Sequence, residues 1–317
     1  MTAEFVNGLE QFRRQNGAGA VVTIGTFDGI HRGHQEVFRR VRAASKASSL
    51  EAVLITFDPH PRSVISPDNA PHLLTSIEEK RQFVPYFFDG RVLVLKFDKA
   101  MMNLTADEFV RDIVVGRVGA RHVIVGHDHA FGKNRSGNIE RLRELASQMN
   151  FELDVVEPVI DNGTPISSSR IRRALTDGHF QEALRLLGHD YAIYGTVERG
   201  IGLGRKLGYP TANVKYSPLK LLPQEGVYSC WVRVGQEEKN GMMFIGKNHF
   251  NPAGRVTVEA NLFDFDRDIY DEEIIVNPTQ YIRENRRFAG TDELIKQIGK
   301  DKTHILELMH KGETTCQ

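Results

Sequence analysis

At 317 residues the chain is longer than one hydrophobic core usually grows, so two domains are expected. Lys plus Arg (41) equals Asp plus Glu (41), so no net field recommends nucleic acid or an anionic membrane as a partner. No apolar run approaches the roughly 18 residues of a membrane span, Met1-Thr-Ala-Glu-Phe-Val is unlike a signal peptide, and Cys230 and Cys316 fit neither a disulfide framework nor a metal knuckle; a soluble cytoplasmic protein is expected.

In chain order, strand-like runs at Val21–Gly25, Glu51–Phe57, Arg91–Phe97, His122–Gly126 and Phe151–Val156 alternate with helical patterns. Those patterns cover His34–Ala47, Thr75–Phe88, Thr105–Val115 and Asn138–Asn150. Apolar strands separated by helices predict a doubly wound parallel sheet, whose ligands sit beyond the carboxyl ends of its strands. After the helix Phe180–Leu187 the texture changes. Short alternating strands at Ala192–Val197, Gly226–Val234, Gly241–Ile245, Arg255–Leu262 and Glu273–Val276 predict an antiparallel barrel, closed by a helix over Thr291–Met309. The expected domains are residues 1–186 and 187–317.

The densest signal is Gly25-Thr26-Phe27-Asp28-Gly29-Ile30-His31-Arg32-Gly33-His34, which follows a strand and opens a helix. Backbone N–H groups and a positive helix end there suit phosphate, and the glycines permit a sharp turn close to a nucleotide. His31 and His34, three apart, face one side of a first helical turn; two surface histidines after a glycine turn are the bland reading of such a pair. Phe57-Asp58-Pro59-His60-Pro61 ends the second strand, and Gly126-His127-Asp128-His129 ends the fourth. A zinc reading of His127 and His129 lacks a third ligand. In Ile166-Ser167-Ser168-Ser169-Arg170-Ile171-Arg172, serines at a helix start satisfy free N–H groups, and Ser168 and Arg172 share a helical face from which Arg172 can grip phosphate.

In the second half, Gly200, Gly202, Gly204 and Gly208, with Arg205 and Lys206, form a loop able to lie over phosphates, although it is not a Walker A motif. Pro210-Thr211-Ala212-Asn213 supplies hard oxygen atoms suited to Mg²⁺ and phosphate. Strict alternation puts Glu259 on one face with Thr257 and Asn261, where it is either a solvated carboxylate or a base for an attacking hydroxyl.

The His-x-Gly-His and Ile-Ser-Ser-Ser-x-Ile-Arg segments resemble the nucleotidylyltransferase superfamily. Together with Phe-Asp-Pro-His-Pro and Gly-x-Asp-x-x-Phe-Gly they are similar to the FMN adenylyltransferase half of bacterial riboflavin kinase/FAD synthetases. Leu-Gly-Tyr-Pro-Thr-Ala-Asn, Gly226-Val-Tyr, the strand around Glu259, and Tyr281-Ile-Arg283 with Phe288 resemble the riboflavin kinase half. The resemblance implies an enzyme that phosphorylates riboflavin to FMN and adenylylates FMN to FAD, using ATP and Mg²⁺. It assigns ATP contacts to Gly25, Phe27, Asp28, His31, His34, Ser168 and Arg172 in one half, and to Gly204, Thr211 and Asn213 in the other, the last two also holding Mg²⁺. Phe57, Pro59, His60, Asp128 and Arg283 are assigned to flavin, and Glu259 to general base. Thr26 and Ser169 stand where the family has Asn and Thr, and His129 where Phe is common. Lys247-Asn248-His249-Phe250 replaces the usual Pro-Thr-Phe. The alternatives are a nucleotidyltransferase for another small substrate, such as a cytidylyl or pantetheine compound, and a flavin-binding protein with reduced kinase activity.

Overall fold

The computed structural model describes residues 3–14, 19–133, 136–247 and 255–313. Asn248, His249 and Phe250 of the divergent loop lie outside the described residues, as does Cys316. The chain forms two compact units, divided between Ser168 and Ser169.

Among the described residues the first unit contains eight strands: β1 (Glu4–Asn7), β2 (Ala20–Ile24), β3 (Glu51–Asp58), β4 (Arg91–Lys96), β5 (Ala120–Gly126), β6 (Glu152–Val156), and the short antiparallel pair β7 (Ile160–Asp161) and β8 (Thr164–Pro165). The first six form one parallel sheet in the order β1-β4-β3-β2-β5-β6. β2 is buried along its whole length, because helices cover both faces of such a sheet. On one face Val22, Ile24, Val53, Ile55, Leu93 and Leu95 share a core with Phe109, Val114, Leu142 and Leu145. On the other, the helix Arg32–Ser48 buries Val37, Phe38 and Val41, and Phe38 meets the Phe88 ring edge-on at 5.6 Å. The chain steps from β2 outward through β3 and β4, then returns to place β5 on the other flank of β2. This reversal makes the carboxyl end of β2 the switch point of the sheet, the usual ligand position in such folds.

Two details differ from the sequence expectation. β1 adds a short edge strand whose four residues carry too little alternation to be recognised. The helix expected over Thr105–Val115 is a capped turn, Ala106–Glu108, followed by a π-helix, Phe109–Val118. Thr105 and Glu108 cap each other reciprocally. The buried Phe109, Ile113, Val114 and Val118 recur at the wider spacing of a π turn, which an apolar pattern barely distinguishes from α.

In the second unit β9 (Ile193–Glu198), β10 (Ala212–Tyr216), β11 (Gly226–Val234), β12 (Glu237–Lys247), β13 (Val256–Leu262) and β14 (Glu273–Arg283) make a closed barrel in the order β10-β13-β12-β11-β14-β9. Strand β10, which includes Asn213, was not among the expected strands, because Pro210 and Pro218 flank so short a run. Strand β14 runs well past Val276. Register shifts in its ladder with β11 absorb Pro278, which a regular central strand would not tolerate. The closing helix, Thr291–Glu313, buries Ile305 against Val227, Met242 and Phe263. The helix Phe180–Leu187 sets Phe180 edge-on to Tyr228 at 5.3 Å. Among the described residues no helix is long and apolar enough to cross a membrane.

Candidate active sites

The turn between β2 and the helix Arg32–Ser48 lies at the switch point. Its strained positions are not the ones expected. Phe27 (φ 46°) and Ile30 (φ 42°) adopt left-handed backbone beside Gly29 (φ 90°), a conformation that persists only where the surroundings enforce it. Those surroundings are specific. The Asp28 carboxylate accepts from Thr75 N at 2.9 Å, Gly29 N donates to Thr75 Oγ1 at 2.9 Å, and the Ser168 hydroxyl donates to Asp28 O at 2.9 Å. Asp28 and Ser168, both assigned to ATP by the resemblance, are therefore joined in the structure.

His31 is the residue before the helix and His34 closes its first turn, so their rings stack at 3.6 Å with 19° between planes. Phe27 meets His34 edge-on at 5.3 Å. Burial, then the neighbouring His31 and Lys80, hold the His34 imidazole well below the usual histidine range. Its Nδ1 is buried with no hydrogen-bond partner among the described residues. A neutral His34 imidazole stacked on the His31 ring suits hydrogen bonding to phosphate oxygens without a large charge change. Gly33 lets this happen, because a Cβ there would come within 3.1 Å of the His31 ring. A Cβ at Gly25 would press on the Phe27 ring at 3.0 Å. Arg172 is half-buried on the helix Ser168–Thr176, one turn after Ser168.

Beyond β3 and β5 lies a band of rings. Phe57 contacts Phe97 at 5.7 Å and Phe109 at 6.2 Å, Phe109 contacts Phe131 at 6.0 Å, and His129 stacks on Phe131 at 5.3 Å. His60 accepts from Arg62 N at 3.1 Å and so caps a short helix, following the cis Asp58–Pro59 peptide. Asp128 is exposed at the end of β5. Phe97 and Phe109 were not singled out from sequence, since each also reads as ordinary core.

In the barrel, Asn213 and Glu259 are direct cross-strand partners on β10 and β13. Thr211 Oγ1 donates to Glu259 Oε2 at 3.3 Å, and Thr257 Oγ1 to Glu259 Oε1 at 3.4 Å. Asn261 Nδ2 donates to Pro210 O at 2.7 Å, fixing the segment that carries Thr211. Burial pushes the Glu259 carboxyl above its ordinary value, while the two threonine hydroxyls pull it back. The glycine loop closes on the same place: a Cβ at Gly200 would sit 2.4 Å from Asn213 Nδ2, and one at Gly204 2.4 Å from Tyr209 O and 3.2 Å from Thr211 Oγ1. Arg283 lies elsewhere in its bonding. Its guanidinium grips Asp301 of the closing helix, with contacts of 2.8 to 3.1 Å, and Gln297 donates to the same carboxylate at 2.6 Å.

Two kinds of site thus occupy two units: a strained glycine turn with paired histidines over a parallel sheet, and a carboxylate among hydroxyl and amide oxygens on a barrel. Family models follow the same division. One described as FAD synthetase matches residues 13–170, and one described as riboflavin kinase matches residues 187–309. The bifunctional riboflavin kinase/FMN adenylyltransferase of Escherichia coli K12 is 33% identical over 302 residues, covering 94% of this chain and 96% of that one. The chain belongs to the bifunctional riboflavin kinase/FMN adenylyltransferase family. The Pseudomonas fluorescens member is 35% identical over 301 residues, covering 94% of this chain and 95% of the other. A crystal structure described as a macrolide-efflux protein from Streptococcus pneumoniae superimposes with a TM-score of 0.81, at 31% identity, over 96% of this chain and 98% of its own. As a member of this family the chain is a transferase of FMN and FAD biosynthesis with two ATP-dependent activities, one per half.

Within that family frame, the residues that sequence reasoning missed are those that hold the turn rather than form it. Thr75 and Lys80 stand nearly fifty residues beyond it. The only local signal for their position was the capping box of Ser76 and Glu79, which fixes where their helix starts.

Proposed function

We propose that the chain phosphorylates riboflavin to FMN on the barrel and adenylylates FMN to FAD above the parallel sheet, with the functional boundary between residues 186 and 187. The observation that carries the kinase half is the Thr211–Asn213–Glu259 constellation. Glu259 takes the proton of the riboflavin primary hydroxyl as that oxygen attacks the γ-phosphorus of ATP, the bond from that phosphorus to the bridging oxygen breaks, and ADP departs. A buried carboxylate with a raised pKa is a better proton acceptor than a solvated one. Thr211 and Asn213 offer a hydroxyl and an amide oxygen beside that carboxylate, a hard donor set that fits Mg²⁺ carried in with ATP phosphates. Bound there, Mg²⁺ supplies relief of charge on the phosphates. Gly204 allows its loop to lie against Thr211 and over the nucleotide.

On the sheet, the FMN phosphate is already an anion at neutral pH and attacks the α-phosphorus of ATP without a general base. What the protein supplies is alignment and stabilisation of charge on the phosphorus and the departing pyrophosphate. His31 and His34 are assigned to those phosphates, with Gly25, Phe27, Asp28 and Ser168 shaping the ATP side and Arg172 gripping phosphate oxygens. Phe57, Pro59, His60 and Asp128 line the flavin side, where the band from Phe57 to His129 offers flat apolar surface to an isoalloxazine ring. Arg283, braced by Asp301, borders the flavin in the kinase half. A cytoplasmic enzyme, with Cys230 as a buried free thiol, agrees with this reading.

The test is incubation of the purified protein with riboflavin, ATP and Mg²⁺, with the flavins separated by chromatography. FMN should appear first and FAD after it. Production of neither would remove the proposal, and a flavin that binds but is returned unchanged would favour the binding-protein alternative.

A further inference from the structure

We propose that Lys80 is a positioning residue for adenylyl transfer: from below, its ammonium group holds the strained turn that presents His31 and His34. The inference rests on the adenylyl-transfer reading of that turn. Lys80 is only 6% exposed, on the helix Ile77–Phe87, and its Nζ donates to Thr26 O at 2.6 Å. The Thr56 hydroxyl also reaches Thr26 O, at 3.3 Å. Thr26 immediately precedes Phe27, the first of the two non-glycine residues forced into left-handed backbone.

The stretch from Thr75 to Lys80 fastens the turn at three places: Thr26 through Lys80, and Asp28 and Gly29 through Thr75. Between those anchors Phe27 projects its ring against His34 at 5.3 Å and Phe38 at 4.9 Å. Release of Thr26 would let Phe27 relax toward ordinary backbone angles, and its ring would no longer back His34. A displacement of about an ångström in such a constellation can cost about a hundredfold in rate.

The surroundings explain how a lysine can be buried here. Asp28, Asp58 and Glu79 all face Lys80 and favour its charged form, against burial, which lowers its pKa. That positive charge in turn helps to keep His34 neutral, together with burial and with His31. A neutral donor in place of Lys80 would keep the bond to Thr26 but lose this second effect.

The experiment compares Lys80→Met and Lys80→Gln in the full chain. Lys80→Met should lower kcat for FAD formation from supplied FMN and ATP by about a hundredfold, while riboflavin phosphorylation by the same preparation stays within about twofold and reports a folded barrel. Lys80→Gln should fall between Met and wild type. In both variants the His34 imidazole, followed by NMR, should titrate at higher pH than in wild type. If Lys80→Met does not fold, Lys80→Gln carries the test alone. Wild-type kcat in a folded variant, or an unmoved His34 titration, would overturn the assignment. A wild-type protein that makes no FAD would instead overturn the adenylyl-transfer reading itself.

Discussion

The Thr211 hydroxyl, on the residue just before β10, donates to the Glu259 carboxylate of β13 at 3.3 Å. This bond joins the residue assigned to Mg²⁺-ATP to the residue assigned to proton removal, at the point where β10 begins to pair with β13.

Replacing Glu259 by Gln keeps the shape and removes the base. Riboflavin phosphorylation should fall by roughly a hundredfold or more, while adenylylation of supplied FMN persists. Because burial raises the Glu259 pKa, the group costs folding stability above the unfolded carboxylate range, and that cost is relieved as pH falls below it. Glu259→Gln should therefore melt at a higher temperature than wild type at pH 7, with the gap closing as pH falls through the carboxylate range. Calorimetry over pH checks this.

Thr211→Val should raise KM for Mg²⁺-ATP and lower kcat in the kinase reaction alone. It also removes one of the two hydroxyls that hold the Glu259 pKa down. The acid limb of the kinase pH–rate profile should consequently move to higher pH than in wild type. An unmoved limb would separate Glu259 from that limb.

His34 bears on stability with the opposite sign. Its folded pKa is depressed, so its contribution is present above the unfolded value near 6.5 and is lost as pH falls below it. His34→Gln, which cannot take up the proton, should lose less thermal stability between pH 7 and pH 5 than wild type does. Paired melting curves at the two pH values measure this.

The Arg283–Asp301 pair is structural as well as adjacent to the proposed flavin border. Asp301 has 4% side-chain exposure and Arg283 19%. Asp301→Ala leaves a half-buried guanidinium unpaired and should destabilise the barrel by about 3 kcal/mol, read by urea denaturation. Loosening of the closing helix should accompany it, seen as faster amide exchange around Ile305.

Much of this was legible in the sequence because the signals are local. A strand ending in Gly25 and a helix opening near His34 fix where the glycine turn at the switch point lies, and stacking of the two histidines agrees with their spacing. Alternation placed Glu259 with Thr257, and the hydroxyl contact agrees with it. What stayed hidden depends on tertiary closure. Asn213 became the cross-strand partner of Glu259 only once β10 joined β13, and a five-residue strand between prolines carries almost no periodic signal. Lys80 read as one charge on an amphipathic helix, and nothing near it in sequence reveals a bond to Thr26. The strain at Phe27 and Ile30 was equally invisible, since neither residue type favours positive φ.

Two separable sites on one chain should complement each other between single-site variants. His31→Ala and Glu259→Gln are each supplied with riboflavin, ATP and Mg²⁺, separately and mixed in one tube, and FAD is measured. Alone, His31→Ala should stop at FMN and Glu259→Gln should make FAD at no more than about a hundredth of the wild-type rate, whereas the mixture should produce FAD readily. A mixture no faster than Glu259→Gln alone, or FAD formation near the wild-type rate by either variant alone, would contradict the assignment.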